Sequence, residues 1–179
     1  METLDRPQLT RIVLTGSESV GKTTLAGMLA SHYDVEFVPE FVRQYAEAKG
    51  ALLDFRDHGP IAKGQVALEN SYILRAESLL LFDTDLVSTV VYCHHYFGRC
   101  PEFIEEAAIA RLATRYLLLD VDVPWIPDGV RDREDRRADV QQLFVDTLAR
   151  FGAAVTTIRG TWSERFDAAV RTIDGMRTT

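Results

Sequence analysis

Gly16-Ser17-Glu18-Ser19-Val20-Gly21-Lys22-Thr23 fits the pattern G-x-x-x-x-G-K-[ST], and Thr24 adds a second hydroxyl directly after it. Glycines at both ends let such a backbone curl tightly and aim N–H groups at phosphate oxygens. The lysine of this pattern reaches the β- and γ-phosphates of a nucleotide, and its Ser/Thr hydroxyl can ligate Mg²⁺. Residues 16–24 therefore read as a binding loop for ATP with Mg²⁺, in which Lys22 is also catalytic and Thr23 is a metal ligand. The competing reading is a chance glycine turn. Context weighs against it, because the loop follows the apolar run Thr10 to Thr15 and opens a helical stretch.

Carboxylates form the second group. Asp83-Thr84-Asp85 closes the apolar run Leu79 to Phe82. Asp83 is the first candidate for the Mg²⁺ shell, usually through water. Asp85 is the alternative; it can instead N-cap the next helix or contact the substrate. Glu40 follows Pro39 at the end of a short apolar run. There it can take the proton from an acceptor hydroxyl as general base, or hold that hydroxyl in line. The plainer reading of Glu40 is a first-turn acid favoured by the helix dipole. Arg43 lies one helical turn on, able to meet phosphate or to pair with Glu40.

The third group is a charged loop, residues 124–137, with Arg131, Arg133, Arg136 and Arg137 close together. Phosphoryl transfer benefits from cations that arrive over the moving group when a lid closes. Arg131, nearest the Gly129 hinge, and Arg136 are the choices for that role. A solvated loop neutralised by Asp132, Glu134 and Asp135 is the alternative. Trp125 either lines an acceptor pocket or packs the base of the loop, and Asp128 is grouped with the acceptor-binding residues. His94-His95 is discounted as a metal pair, because adjacent helical residues point about 100° apart. Nor does the sequence set a carboxylate or cysteine at ligand spacing from either histidine.

Elements that would position these groups follow from periodicity. Strands are expected at Thr10–Thr15, Val35–Val38, Leu79–Phe82, Tyr116–Leu119 and Ala154–Ile158. Helices are expected at Leu25–Tyr33, from Phe41 to a stop at Gly50, from about Gly59 to Ser78, at Leu86–Phe97 and at Pro101–Thr114. Two more follow, one on the stripe Val140 to Phe151 and one on Phe166 to Ile173. The helix-stripe aromatics Phe103, Phe144 and Phe166 are expected in the core. Strands alternating with helices imply an α/β fold with a parallel sheet covered on both faces. Ligands of such sheets sit beyond the carboxyl ends of the strands, where all three groups fall.

With 179 residues, 46% of them hydrophobic and 26% charged, the chain is expected to be one globular domain. It carries 20 basic and 27 acidic residues, a formal charge of −7, which argues against non-specific nucleic-acid binding. Cys93 and Cys100 form no CxxC pair and read as free thiols in a reducing compartment. Met1 to Gln8 lacks the apolar core of a signal peptide, and no apolar run approaches the ~20 residues of a membrane span. A cytoplasmic protein with no membrane partner is expected, with self-association into a homo-oligomer left open.

With these residues in hand, the sequence resembles the ribosylnicotinamide kinase domain of NadR-type NAD-salvage proteins. The resemblance runs nearly end to end, through GSESVGKTTLA (16–26), PEFVRQY (39–45), FDTDLVSTVVYCHHYFG (82–98) and VPWIPDGVRDREDRR (123–137). It implies a P-loop kinase fold with a five-stranded parallel sheet and an arginine-rich lid. The implied reaction phosphorylates the 5′-hydroxyl of nicotinamide riboside to give nicotinamide mononucleotide. Glu40 and Arg43 match the family's E-x-x-R element, Asp83 and Asp85 its D-T-D, and Arg131 its lid arginine. Pro39 departs from the pattern where relatives often carry an aromatic residue, and Gln44 replaces a second acid. A cationic pyridinium gains from an aromatic face, which Pro39 does not supply. The chain is also expected to lack room for the DNA-binding and adenylyltransferase modules that such proteins can carry. The alternatives are a nucleoside or nucleotide kinase of other specificity, or a nucleotide-dependent switch. The switch is weakened by the lack of an N-K-x-D guanine-recognition element.

Overall fold

In the computed structural model, which describes residues 6, 8–123 and 136–177, strands and helices alternate. The chain runs β1 (Thr10–Thr15), α1 (Lys22–Tyr33), β2 (Phe37–Val38), α2 (Phe41–Lys49) and a one-turn 3-10 helix (Phe55–Asp57). It continues through α3 (His58–Ile73), β3 (Leu79–Asp83), α4 (Leu86–Phe97), α5 (Glu102–Ala110) and β4 (Arg115–Leu119). It closes with α6 (Arg137–Arg150), β5 (Val155–Ile158) and α7 (Trp162–Arg177).

Strand side chains alternate between the two faces of a sheet, and here both faces are apolar. Ile12, Leu14, Leu79, Leu81, Leu117 and Leu119 pack with α1 and α7. Val13, Leu80, Phe82, Tyr116 and Leu118 pack on the other side against α3, α4, α5 and α6. Strands buried on both faces belong in the middle of a parallel sheet. The order is β2-β3-β1-β4-β5, with every neighbouring pair parallel. This is the P-loop kinase-like α/β fold, and it sets the phosphate loop at the end of the central strand.

Several boundaries differ from expectation for local reasons. β2 pairs only through Phe37 and Val38, so Val35 and Glu36 stay outside the sheet. The helix expected to reach Ser78 ends at Ile73, where Arg6 donates to the carbonyls of Ile73 (3.0 Å) and Ala76 (2.8 Å). The helix expected to reach Thr114 ends at Ala110, because Arg111 turns inward to pair with buried Glu69 (2.9 Å). Phe144 is core and Phe166 partly so, but Phe103 is exposed. No helix among the described residues is long and apolar enough to cross a membrane.

Candidate active site

The phosphate loop starts where β1 stops. Gly16 has φ +127°, and a Cβ there would meet Leu119 O at 2.7 Å, so only glycine lets the loop pass β4 this closely. Gly21 caps α1 with φ +90° and no side-chain cap, leaving first-turn N–H groups of that helix for an anion. Lys22 is buried and donates to Gly16 O (3.0 Å) and Ser17 O (2.6 Å), so its ammonium lies inside the curl of the loop. Thr24 is exposed on the first turn of α1.

Three distant side chains hold this loop. Gln141 on α6 accepts from Ser17 N (3.0 Å) while donating to Leu119 O (2.9 Å). Arg137, at the start of α6, donates to Ser19 O (3.4 Å) and Val123 O (3.2 Å). Arg165 on α7, fully buried, donates to Val20 O (2.8 Å) and Asp120 O (3.0 Å) and pairs with Asp122. Glu18 turns away from the loop mouth, accepting from Ser17 Oγ (3.2 Å) and the Tyr92 hydroxyl (3.1 Å).

The two aspartates at the end of β3 go separate ways because Thr84 between them has φ +66°. A β-branched residue adopts that conformation only when its surroundings impose it. Asp83 turns towards α1, where Thr23 Oγ1 donates to its Oδ2 at 2.5 Å. Its Oδ1 is buried with no partner among the described residues. Burial pushes this carboxyl above its usual range and the nearby Glu40 adds to that, while Thr23 and the charges of Lys22 and Arg43 oppose it. Asp85 takes its helix-capping reading: its carboxylate accepts from Val87 N (3.0 Å) and from the Tyr116 hydroxyl (2.6 Å). Burial first, then the Glu69 charge, push Asp85 up to about 7.

Glu40 precedes α2 without capping it by side chain, is buried, and accepts from Arg43 Nε at 3.0 Å. Gln65 fixes this end of α2 by accepting from Phe41 N (2.9 Å) and donating to Glu69 (3.1 Å). Beside Glu40 opens a cavity of about 540 Å³. Its polar wall includes Arg43, Gln65, Thr84 and Asp85; Leu52, Leu53 and Ile61 face it with apolar surface. Tyr92, Tyr96 and Phe97 contribute aromatic rings, the two tyrosines stacked at 6.0 Å and 18°.

The sheet ends thus bring together Gly16–Thr23, Glu40, Arg43, Asp83 and Asp85. Arg136 stands exposed at the N-cap of α6, and it is its neighbour Arg137 that reaches the loop. Trp125, Asp128 and Arg131 lie outside the described residues. His94 does meet a carboxylate, since α5 brings Glu105 to 2.7 Å, yet among the described residues no three His, Cys, Asp or Glu side chains gather as a metal-holding group. Gln65, Gln141 and Arg165 carry no motif signal; the backbone groups they hold at Phe41, Ser17 and Val20 lie 24, 124 and 145 residues away.

Residues 11–165 match the family AAA_28, an AAA domain. The trifunctional NAD biosynthesis/regulator protein NadR of Escherichia coli (strain K12) is 28% identical over 143 residues, 76% of this chain and 35% of that protein. This chain therefore spans about a third of the length of that curated relative. A crystal structure of NadR in complex with NR superposes with a TM-score of 0.79 at 24% identity, covering 93% of this chain and 51% of that one. A second, of NadR with NAD and AMP-PNP, superposes with a TM-score of 0.78 at 22% identity, covering 93% and 49%.

Proposed function

This chain belongs to the AAA domain family, and on that premise we propose that it is an ATP-dependent kinase acting on nicotinamide riboside. The observation that carries the reading is that β1, β2 and β3 deliver Lys22, Glu40 and Asp83 to the same end of the sheet, where Thr23 donates to Asp83. It joins a phosphate cradle to a carboxylate at the lip of a cavity able to take a nucleoside. Similarity to NadR, which has been crystallised with NR and with AMP-PNP, supports the choice of acceptor and donor.

In this mechanism the N–H groups at the start of α1 and the Lys22 ammonium hold the triphosphate. To do so, Lys22 exchanges its bonds to Gly16 O and Ser17 O for phosphate oxygens. Glu40 orients the ribose 5′-hydroxyl and takes its proton as the oxygen attacks the γ-phosphorus. Arg43 holds the Glu40 carboxylate in place from the cavity side. The Thr23 hydroxyl and the unpartnered Asp83 Oδ1 fit Mg²⁺, which when bound neutralises charge building on the phosphates. Arg131, Arg136, Trp125 and Asp128 complete the proposal as lid residues, the arginines over the phosphates and the other two beside the acceptor.

The aromatic face that position 39 lacks is available from α4, where Tyr92, Tyr96 and Phe97 line the cavity. A cationic pyridinium is attracted to such faces. The test is ADP release from ATP–Mg²⁺ against nicotinamide riboside, the common nucleosides and nucleoside monophosphates. Turnover with nicotinamide riboside is expected. Turnover only with another nucleoside would move the specificity, and ATP hydrolysis indifferent to every acceptor would overturn the kinase reading in favour of the switch.

A further inference from the structure

The phosphate loop has a neighbour that this mechanism leaves unused. Trp162, the first residue of α7, lays its indole against Gly21, where a Cβ would stand 2.3 Å from Trp162 Cη2. Any side chain at position 21 would drive the ring away. The residue is nevertheless 43% exposed, so a large aromatic surface beside the loop stays in water. It is held there firmly. Arg165, three residues on, ties Gly160 O (2.9 Å) in the preceding turn to Val20 O (2.8 Å) in the loop itself.

Sheet order gives this surface a direction. Glu40 and the acceptor cavity lie at the β2–β3 side of the sheet, and the phosphate loop follows β1. Transfer requires the attacking oxygen, the phosphorus and the leaving oxygen to stand roughly in line. The donor's leaving phosphates and nucleoside must then project away from the cavity, towards the ends of β4 and β5. Trp162 stands at that end, just past β5 and in contact with the last glycine of the loop.

We infer that Trp162 is the platform on which the base of the donor nucleotide stacks, with Gly21 kept side-chain-free so that the indole can reach the loop. This rests on the transfer direction proposed above. An indole recognises a base by its face, which every base presents, and the larger purine ring system overlaps it most. Arg165 acts as a positioning residue, fixing the indole relative to the phosphates rather than touching the donor.

The experiment is calorimetric titration of the full chain with ATP–Mg²⁺ and, separately, with tripolyphosphate–Mg²⁺, which lacks base and ribose. Wild type, Trp162→Ala and Trp162→Phe are compared. Loss of one stacked base weakens binding roughly 5- to 150-fold. Trp162→Ala should lose that factor for ATP, keep wild-type affinity for tripolyphosphate, and Trp162→Phe should recover most of the loss. Equal weakening for both ligands would overturn the inference, since the indole would then only shape the loop. Unchanged ATP affinity in Trp162→Ala would overturn it as well. A selective loss for ATP in a protein that does not phosphorylate nicotinamide riboside would sink the acceptor assignment and leave the base platform standing.

Discussion

The proposed donor and acceptor ends of this site are built in opposite ways. At the donor end the backbone does the work, since an eight-residue loop and a helix start present N–H groups. Side chains from α6 and α7 merely hold that backbone through Ser17, Ser19 and Val20. At the acceptor end side chains form the walls, and the backbone only delivers them from α2, α3 and α4. The difference teaches what each end can vary. A backbone cradle recognises phosphate whatever the neighbouring side chains, whereas a side-chain cavity changes its ligand whenever one wall residue changes.

The sharpest way to break the comparison is to remove chemistry at one end and look for loss at the other. Glu40→Gln should lower turnover by about 10²–10⁴, the usual contribution of a general base, with ATP affinity by calorimetry unaltered. Full activity would remove Glu40 from the role of base. Lys22→Ala should lower turnover by about 10²–10³, as expected for deleting one charge-stabilising donor, and saturating acceptor should not restore it.

Two glutamines sharpen the contrast at a smaller scale. Gln65→Leu strands Phe41 N and should cost about 1–3 kcal/mol of stability while raising the KM for the acceptor alone. Gln141→Leu strands Ser17 N and should cost a similar ~1–3 kcal/mol while weakening ATP alone. Thermal melts and steady-state kinetics on both variants would show whether the two ends are separable, and crossed effects would mean they are not.

The smallest expected effect concerns the brace behind the acceptor wall. Asp57 accepts from Asp54 N (2.6 Å) and the Tyr45 hydroxyl (2.9 Å) and pairs with Lys49, tying α2 to the start of α3. The Asp54 N–H first, then Lys49, hold its carboxyl below the ordinary 3.8. A lowered folded value means that Asp57 stabilises the fold fully above the ordinary value and loses that contribution as pH falls through the lowered one. Asp57→Asn should therefore melt earlier at neutral pH, by about 1 kcal/mol, with the gap closing in acid. A gap that widens on acidification would contradict this.

Much of the frame was legible because it obeys local rules. β1 and α4 appear at their expected bounds, since Thr10–Thr15 is a short β-branched, largely apolar run and Asp85 and Gly98 punctuate α4 at both ends. Motif spacing was enough to single out Gly16–Thr23, Glu40, Arg43, Asp83 and Asp85, each placed by the strand it follows. Helix ends at Ile73 and Ala110 were not legible, because arginines with distant partners impose them. The same holds for the loop's tethers, as nothing near Gln141 or Arg165 in sequence points to the phosphate loop. That Arg137 rather than Arg136 tethers the loop was hidden for a subtler reason. The two are adjacent, and only the phase of α6, whose start the sequence left open, decides which one faces inward.

β2 carries a consequence for how copies of this protein meet one another. The sheet edge nearest the acceptor wall is two residues long, and Pro39, which has no N–H, follows at once. Exposed strand edges recruit foreign strands by offering a row of free backbone groups. An edge this short offers almost no row. The margin of the sheet that carries Glu40 can thus remain open to small molecules at high protein concentration without becoming a seed for strand-to-strand aggregation.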